Sequence, residues 1–313
     1  MATLVHEPLS APMISDRLRK MLAFAAIYII WGSTFLAIRI SVFEIPPLLC
    51  AGIRFTLAGL LLYVWSAIHG APTPTAREWS SCALLGFAIF LCSYGLLFWA
   101  EQRVPSSQAA VLVTTIPVFT AIAEASLLRT SVFSVRLTAG LLVGVAGVLV
   151  LINQSLNFGE GFIDRAGAFA IIVGAAVWSV ATVLMRKLPL PSSKAMSSGV
   201  QMLLGGIMLV LAALGLRETA TFHPTSVRPV AWLALAYLII MGSVVAFTAY
   251  VWLNHRISPT RVGTYAYVNP VVAVLLGHTL GHEPLGARTA VGTILVLLSV
   301  AAVLTQRSPV ANS

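Results

Sequence analysis

Charge is what this chain has least of. Among 313 residues there are 19 Lys and Arg and 10 Asp and Glu, 9% of the total, against roughly 25% in soluble domains. With 58% apolar residues, so sparse a set of charges cannot cover a water-facing surface, and a soluble globule and a disordered chain are both excluded. Cysteine is scarce as well. Cys50, Cys82 and Cys92 are odd in number and lie in apolar runs, which supports neither a disulfide framework nor a clustered zinc site. There is no H-E-x-x-H metal pattern and no G-x-x-x-x-G-K-[ST] phosphate loop, so metal-assisted hydrolysis and ATP-driven pumping lack the residues they use. Aspartate is absent from every long apolar run, which leaves an enzyme without an acid cluster and implies no cofactor.

What the chain has in quantity is apolar length. A helix of about 20 residues crosses the hydrocarbon layer with all its backbone hydrogen bonds satisfied internally. Ten stretches qualify: 21–43, 48–68, 80–100, 106–128, 135–152, 166–185, 197–216, 231–253, 262–280 and 287–305. Proline placement supports these cuts, because an interior proline removes a donor and disturbs the preceding turn. Of 16 prolines only Pro117 and Pro270 fall inside a span. The net charge of +9 is a matter of topology rather than of nucleic-acid binding. With a cytoplasmic N-terminus, twelve Lys and Arg lie on the cytoplasmic side, six lie opposite, and Arg54 lies within a span. That bias puts both termini in the cytoplasm.

Two constant offsets run through the sequence. At 147, Trp31 falls on Trp178, Arg39 on Arg186, Arg54 on Gln201 and Gly59 on Gly206. At 153, residues 98–104 fall on 251–257 and Pro117 falls on Pro270. The expected fold is therefore an all-α integral membrane protein of ten transmembrane helices in two five-helix repeats. Residues 1–20 form an N-terminal segment, 21–152 the first repeat, 153–165 a connecting loop, 166–305 the second repeat and 306–313 a tail. Five is odd, so the second copy is inverted in the membrane. An inverted pair can exchange conformations, which places a shared site near the midplane and implies alternating access.

The residues resemble the EamA-type transporters of the drug/metabolite transporter superfamily. The resemblance rests on Trp31-Gly32-Ser33-Thr34-Phe35, on Arg54-Phe55, on the segment from Pro105-Ser106-Ser107 to Ile116-Pro117-Val118, and on their second-half counterparts. Its most specific stretch is Ser258-Pro259-Thr260-Arg261 through Tyr267-Val268-Asn269-Pro270-Val271, with Leu280-Gly281-His282-Glu283-Pro284-Leu285 after it. It spans roughly residues 20–305. What it implies is a ten-helix carrier in the cytoplasmic membrane that exports small metabolites, amino acids or drugs through a cavity between the halves. Where that family often has a glycine-glutamate pair after span 4, this chain reads Leu128-Arg129-Thr130. Glu283 is then the remaining family glutamate, and we read it as helix-end structure.

Polar groups inside the spans are the candidate machinery, since an ionised side chain at the bilayer centre costs about 2.5–3.5 kcal/mol on insertion scales and faces a cavity or a partner. Arg54 is a candidate bidentate donor to a substrate carboxylate or phosphate, or else a tie between helices. Glu124 is a candidate proton-coupling site, with an interfacial role rescued by Arg129 or water as the alternative. Trp31 and Trp178 lie mid-span rather than in the interfacial belt, beside Ser33, Thr34, Ser179 and Thr182. Aromatic walls with hydroxyl donors suit a small amphipathic ligand; helix packing is the other reading. Tyr94, Gln201, Tyr265, Tyr267 and Asn269 complete the expected binding set, and Pro117 and Pro270 are candidate gating hinges. The expected partners are a small-molecule substrate, membrane lipid and a proton as coupling ion, with a monomer as the working unit. A membrane-embedded solute sensor or a channel is the alternative function.

Overall fold

The computed structural model describes residues 15–104, 106–129, 134–152, 164–281 and 287–304. Among them the chain forms a bundle of helical rods. These are α1 (Asp16–Val42), α2 (Pro47–Ile68), α3 (Ala76–Glu101), α4 (Ser106–Leu112 running on to Leu128), α5 (Val135–Ile152), α6 (Arg165–Leu184), α7 (Lys194–Gly215), α8 (Pro229–Asn254), α9 (Tyr265–Gly281) and α10 (Ala287–Leu304). Six of these, α1, α2, α3, α6, α7 and α8, are long and apolar enough to cross a membrane. The apolar helices Val113–Leu128 and Val135–Gly147 are shorter. The N-terminal segment before residue 15, most of the connecting loop, the tail and Glu283 lie outside the described residues.

Local sequence sets the helix ends. Ser15 accepts from the Leu18 N–H at the start of α1, and Thr75 with Glu78 forms a reciprocal capping box, so α3 begins at Ala76, four residues before the apolar run. Pro47 opens α2 and Pro229 opens α8, where a missing N–H has no partner to lose. The interior prolines differ from one another. Pro270 lies within α9. Pro117, expected to kink a continuous span, instead comes after a 3₁₀ turn at Val113–Thr115 and opens the segment Ile116–Leu128. The tighter turn converts an interior proline into a first-turn one. The ninth span is likewise divided: Pro259–Val262 is a separate short helix, and α9 starts at Tyr265.

The two halves interleave, and their contacts mirror each other. α1 packs on α8 and α9, as α6 packs on α3 and α4; α2 pairs with α7, and α5 with α10. The α2–α7 contact is the tightest. A Cβ added to Gly59 would lie 2.2 Å from the Leu203 nitrogen, and one on Gly206 would lie 2.3 Å from the Thr56 nitrogen. Gly52 meets Val210 as Gly199 meets Tyr63. At the offset of 147 each of these contacts becomes the other. Small residues let two backbones approach closely, which is how helices associate where lipid removes the hydrophobic drive between them. Exposed Leu57, Leu60, Leu61 and Val64 on α2, and Leu211 and Leu214 on α7, cover the outward side with apolar surface.

Both α3 and α8 contain an eight-residue π-helical stretch, Phe87–Tyr94 and Leu238–Val245. Such segments release backbone groups from the i to i−4 ladder and gather at functional sites.

Candidate functional site

Between the halves lies a narrow, partly open cavity of about 50 Å³. Its walls come from α1 (Trp31, Thr34, Phe35, Ile38), α3 (Ser93, Tyr94, Leu97), α4 (Val113, Ile116), α6 (Ile171, Gly174, Ala175, Trp178) and α9 (Tyr265, Asn269). Along α1 the wall advances from Trp31 to Ile38, so the cavity extends from mid-bundle toward the end at which α1 leaves, called here the exit face. None of these fifteen residues is charged.

The aromatic residues build the inner end. Trp31 meets Trp178 edge to face at a centroid distance of 5.8 Å, and Tyr265 at 4.8 Å. Tyr94 packs on Trp178 at 5.5 Å. Tyr250, which sequence reasoning does not single out, lies against Trp31, Trp178 and Tyr265 at 5.2, 5.3 and 6.0 Å. Its hydroxyl meets Thr182 Oγ1. The π segment of α8 holds this end in place. The Trp31 indole N–H donates to the Gly242 carbonyl at 2.9 Å, and Ser243 donates to the Leu238 carbonyl at 3.0 Å while accepting from Arg54 Nε at 2.9 Å.

Six of the expected binding residues therefore line the cavity: Trp31, Thr34, Tyr94, Trp178, Tyr265 and Asn269. Asn269 is 1% exposed and its side-chain oxygen has no hydrogen-bond partner. A buried acceptor in that state is set to receive a donor. The other four lie elsewhere. Thr182 is taken up by Tyr250. Gln201 belongs to α7 and donates to Ser197 Oγ at 2.9 Å. Tyr267 points away from the cavity toward α5, its hydroxyl 3.4 Å from the Leu141 carbonyl; two residues on a helix separate opposite sides, whereas Tyr265 and Asn269, four apart, share one. Arg54 is fully buried behind Tyr94, its guanidinium carbon 4.6, 5.4 and 5.8 Å from the Phe55, Tyr94 and Phe98 rings. Both of its terminal nitrogens lack a hydrogen-bond partner.

Beyond the cavity, opposite ends of the bundle are tied by matching bonds. At the exit face Arg39 donates to the Val104 carbonyl at 2.8 Å; at the opposite face Arg186 donates to the Ile257 carbonyl at 2.9 Å. Glu44 and Arg228 form an ion pair at the exit face, and the Arg228 N–H together with its guanidinium holds the Glu44 carboxyl below its ordinary range. Glu218 accepts from the Leu49 N–H at the start of α2, while burial raises its carboxyl above the usual value. At the opposite face Glu124 accepts from the Thr260 N–H and hydroxyl at 3.1 and 2.6 Å. It thereby caps the short helix Pro259–Val262. Among the described residues no group of His, Cys, Asp and Glu could hold a metal ion.

Comparison with known proteins places this architecture. The chain is 37% identical over 278 residues to the uncharacterized inner membrane transporter YedA of Escherichia coli strain K12, covering 86% of each. It is 28% identical over 284 residues to an uncharacterized transporter of Archaeoglobus fulgidus, covering 89% of this chain and 95% of that one, and 27% identical to a chloroplastic WAT1-related protein of Arabidopsis thaliana, covering 87% and 66%. A solved structure titled only as a crystal structure of protein superposes with a TM-score of 0.72 at 23% identity, covering 92% and 96%, and so shares the fold. The profile of the EamA-like transporter family matches residues 18–153 and again 165–305. This integral membrane protein belongs to the EamA-like transporter family, and is a transporter.

Proposed function

We propose that the protein is a secondary transporter of ten spans in two inverted five-helix repeats, moving a small amphipathic metabolite, an amino acid or a related compound, by alternating access across the cytoplasmic membrane. The observation that carries this reading is the aromatic cavity, which takes walls from both halves and holds an unpartnered acceptor in Asn269. Mirror-related contacts at α2–α7 and at the Arg39 and Arg186 ties support the exchange of halves that alternating access requires. With both termini cytoplasmic, the exit face is the external one, and efflux is the direction the family resemblance implies. A cavity lined by rings, hydroxyls and one amide suits a solute with an apolar body and a polar head. The positive charge of Arg54, one ring layer behind the wall, favours a carboxylated solute over a purely cationic one.

The test is counterflow in proteoliposomes with a panel of amino acids, aromatic carboxylates, nucleotide precursors and cationic drugs. Exchange of carboxylated amphipathic solutes is the expected result. No exchange of any solute, with a solute-dependent change in protein fluorescence, would point instead to a sensor; exchange of cationic drugs alone would overturn the substrate class.

A further inference from the structure

One buried acid has no role in the cavity described above. Glu101, the last residue of α3, is fully buried, and neither carboxyl oxygen has a hydrogen-bond partner. Leu97, one turn earlier on the same side of the helix, is part of the cavity wall. Glu101 thus lies one turn beyond that wall, toward the exit face, without itself lining the cavity. The elements packed on this end of α3 are α1, α2, α4 and α6. Their charged groups at this level are Arg39, Arg54 and, where α6 begins, Asp164 and Arg165, while the first turns of α4 carry none. Arg39 is engaged by the Val104 carbonyl and by the backbone carbonyl of Glu101 itself at 3.4 Å, and Asp164 accepts from the Gly167 N–H. A carboxylate deprived of water and of donors is strongly disfavoured, whereas a neutral carboxyl is tolerated.

The repeat supplies an independent observation. At the offset of 153, Glu101 falls on Asn254, whose side-chain amide donates to the Thr182 carbonyl at 3.0 Å. At the offset of 147, Thr182 falls on Phe35, a wall residue of the cavity. When the halves exchange conformations, Glu101 takes the position of Asn254 and faces the Phe35 carbonyl. An ionised carboxylate only accepts and would be repelled there; a protonated one donates.

We propose that Glu101 is the proton-binding site of this transporter, a step that rests on the transport reading above. A carboxyl oxygen takes one proton from water at the exit face, forming the O–H bond that closes this face on the Phe35 carbonyl. Once the cavity is open to the opposite side, the O–H bond breaks and the proton passes to cavity water; the carboxylate left behind can no longer donate to the Phe35 carbonyl, so the latch is released and the exit face reopens. Solute and proton therefore move in opposite directions. Glu124 differs from Glu101 in its surroundings, since its carboxyl oxygen accepts two hydrogen bonds from Thr260.

Infrared spectroscopy of the full-length protein in lipid reads the proton without any solute. Near neutral pH the protein should show a protonated-carboxyl stretch that Glu101→Gln removes and Glu124→Gln keeps. A band that survives in Glu101→Gln, or that is missing from the unsubstituted protein, overturns the proposal. Proteoliposomes loaded with a pH-sensitive dye then report proton movement driven by the counterflow panel. The ratio of protons to solute should fall about tenfold in Glu101→Gln and in Glu101→Asn, the latter being the residue of the equivalent repeat position; an unchanged ratio overturns coupling through this residue. Absence of counterflow from the unsubstituted protein would sink the transport reading while leaving the infrared result to decide the proton site.

Discussion

Trp31 and Trp178, 147 residues apart, meet edge to face at mid-bundle with ring centroids 5.8 Å apart, and each also packs on Tyr250. Only Trp31 carries a hydrogen bond that couples this cluster to the π segment of α8, through the Gly242 carbonyl. An aromatic pair contributes about 0.5–1.5 kcal/mol beyond buried area. Trp31→Phe should keep most of the ring contact and lose the indole N–H, lowering counterflow about 3-fold to 10-fold, and Trp178→Ala should lower it further. Equal rates for both variants and the unsubstituted protein would remove these rings from the solute path.

Much of this cluster is legible in the sequence, because two mid-span tryptophans at a constant offset have few structural uses. The parts that are not legible have physical causes. Tyr267 is expected beside Tyr265 as a second aromatic wall of the same pocket, yet helical phase separates them. Tyr250 escapes sequence reasoning for a related cause: the π segment shifts the register of α8 by the extra residue in each i to i+5 ring, so α-helical spacing misplaces the residues C-terminal to it. Glu101 falls just past the third apolar run, where the sequence implies a loop, although its match with Asn254 is present in the offset of 153. Arg54 stands out in the sequence as an intramembrane charge, but only coordinates reveal a ring layer between it and the cavity.

Arg54 gives a prediction that separates charge from shape. Its side chain donates once, to Ser243, and leaves two terminal nitrogens without partners. Arg54→Gln removes the positive charge next to the Tyr94 wall, so the preference for carboxylated over cationic solutes should fall about tenfold, the equivalent of 1.4 kcal/mol. Arg54→Lys keeps the charge but loses the planar stack on Phe55; it should keep the preference and lose thermal stability. If Arg54→Gln leaves the preference intact in a folded protein, Arg54 is a tie between α2 and α8 and nothing more.

The α2–α7 crossing tolerates no added methyl. Gly59→Ala or Gly206→Ala places a Cβ within 2.3 Å of backbone on the facing helix, which must separate the pair. Overpacking of this kind costs about 1–3 kcal/mol, and here the clashing atoms are backbone, which places both variants at the upper end. Gly215→Ala, with nothing within 4 Å, is the control. The unfolding midpoint in detergent should drop for the first two and hold for the third.

Arg129 ends α4 at φ 52°, in the left-handed region. An L-residue adopts that conformation at a cost of about 1–2 kcal/mol that glycine does not bear. Arg129→Gly should therefore raise the unfolding midpoint, even though it deletes an exposed charge on the side expected to be cytoplasmic. A lower midpoint would mean that the guanidinium contributes more than the backbone strain removes.

His255, just past the end of α8, gives the pH dependence its sign. Burial, reinforced by the positive charges of Lys194, Arg186 and Arg256, lowers its pKa from 6.5 to about 4. Between those values the unfolded chain binds a proton that the folded protein refuses, so stability rises with pH across this window. Acidification from pH 6.5 toward pH 4 should therefore lower the unfolding midpoint, and the decline should level off below about pH 4, where both states are protonated. His255→Gln removes the titration, keeps a polar side chain beside the three cations, and should flatten this part of the profile. The ring is only half-buried, so solvent screening keeps the effect modest, a few degrees of midpoint rather than loss of the fold. A steeper acid decline in His255→Gln than in the unsubstituted protein would show that the imidazole is protonated in the folded state and stabilised there, the reverse of what its surroundings imply.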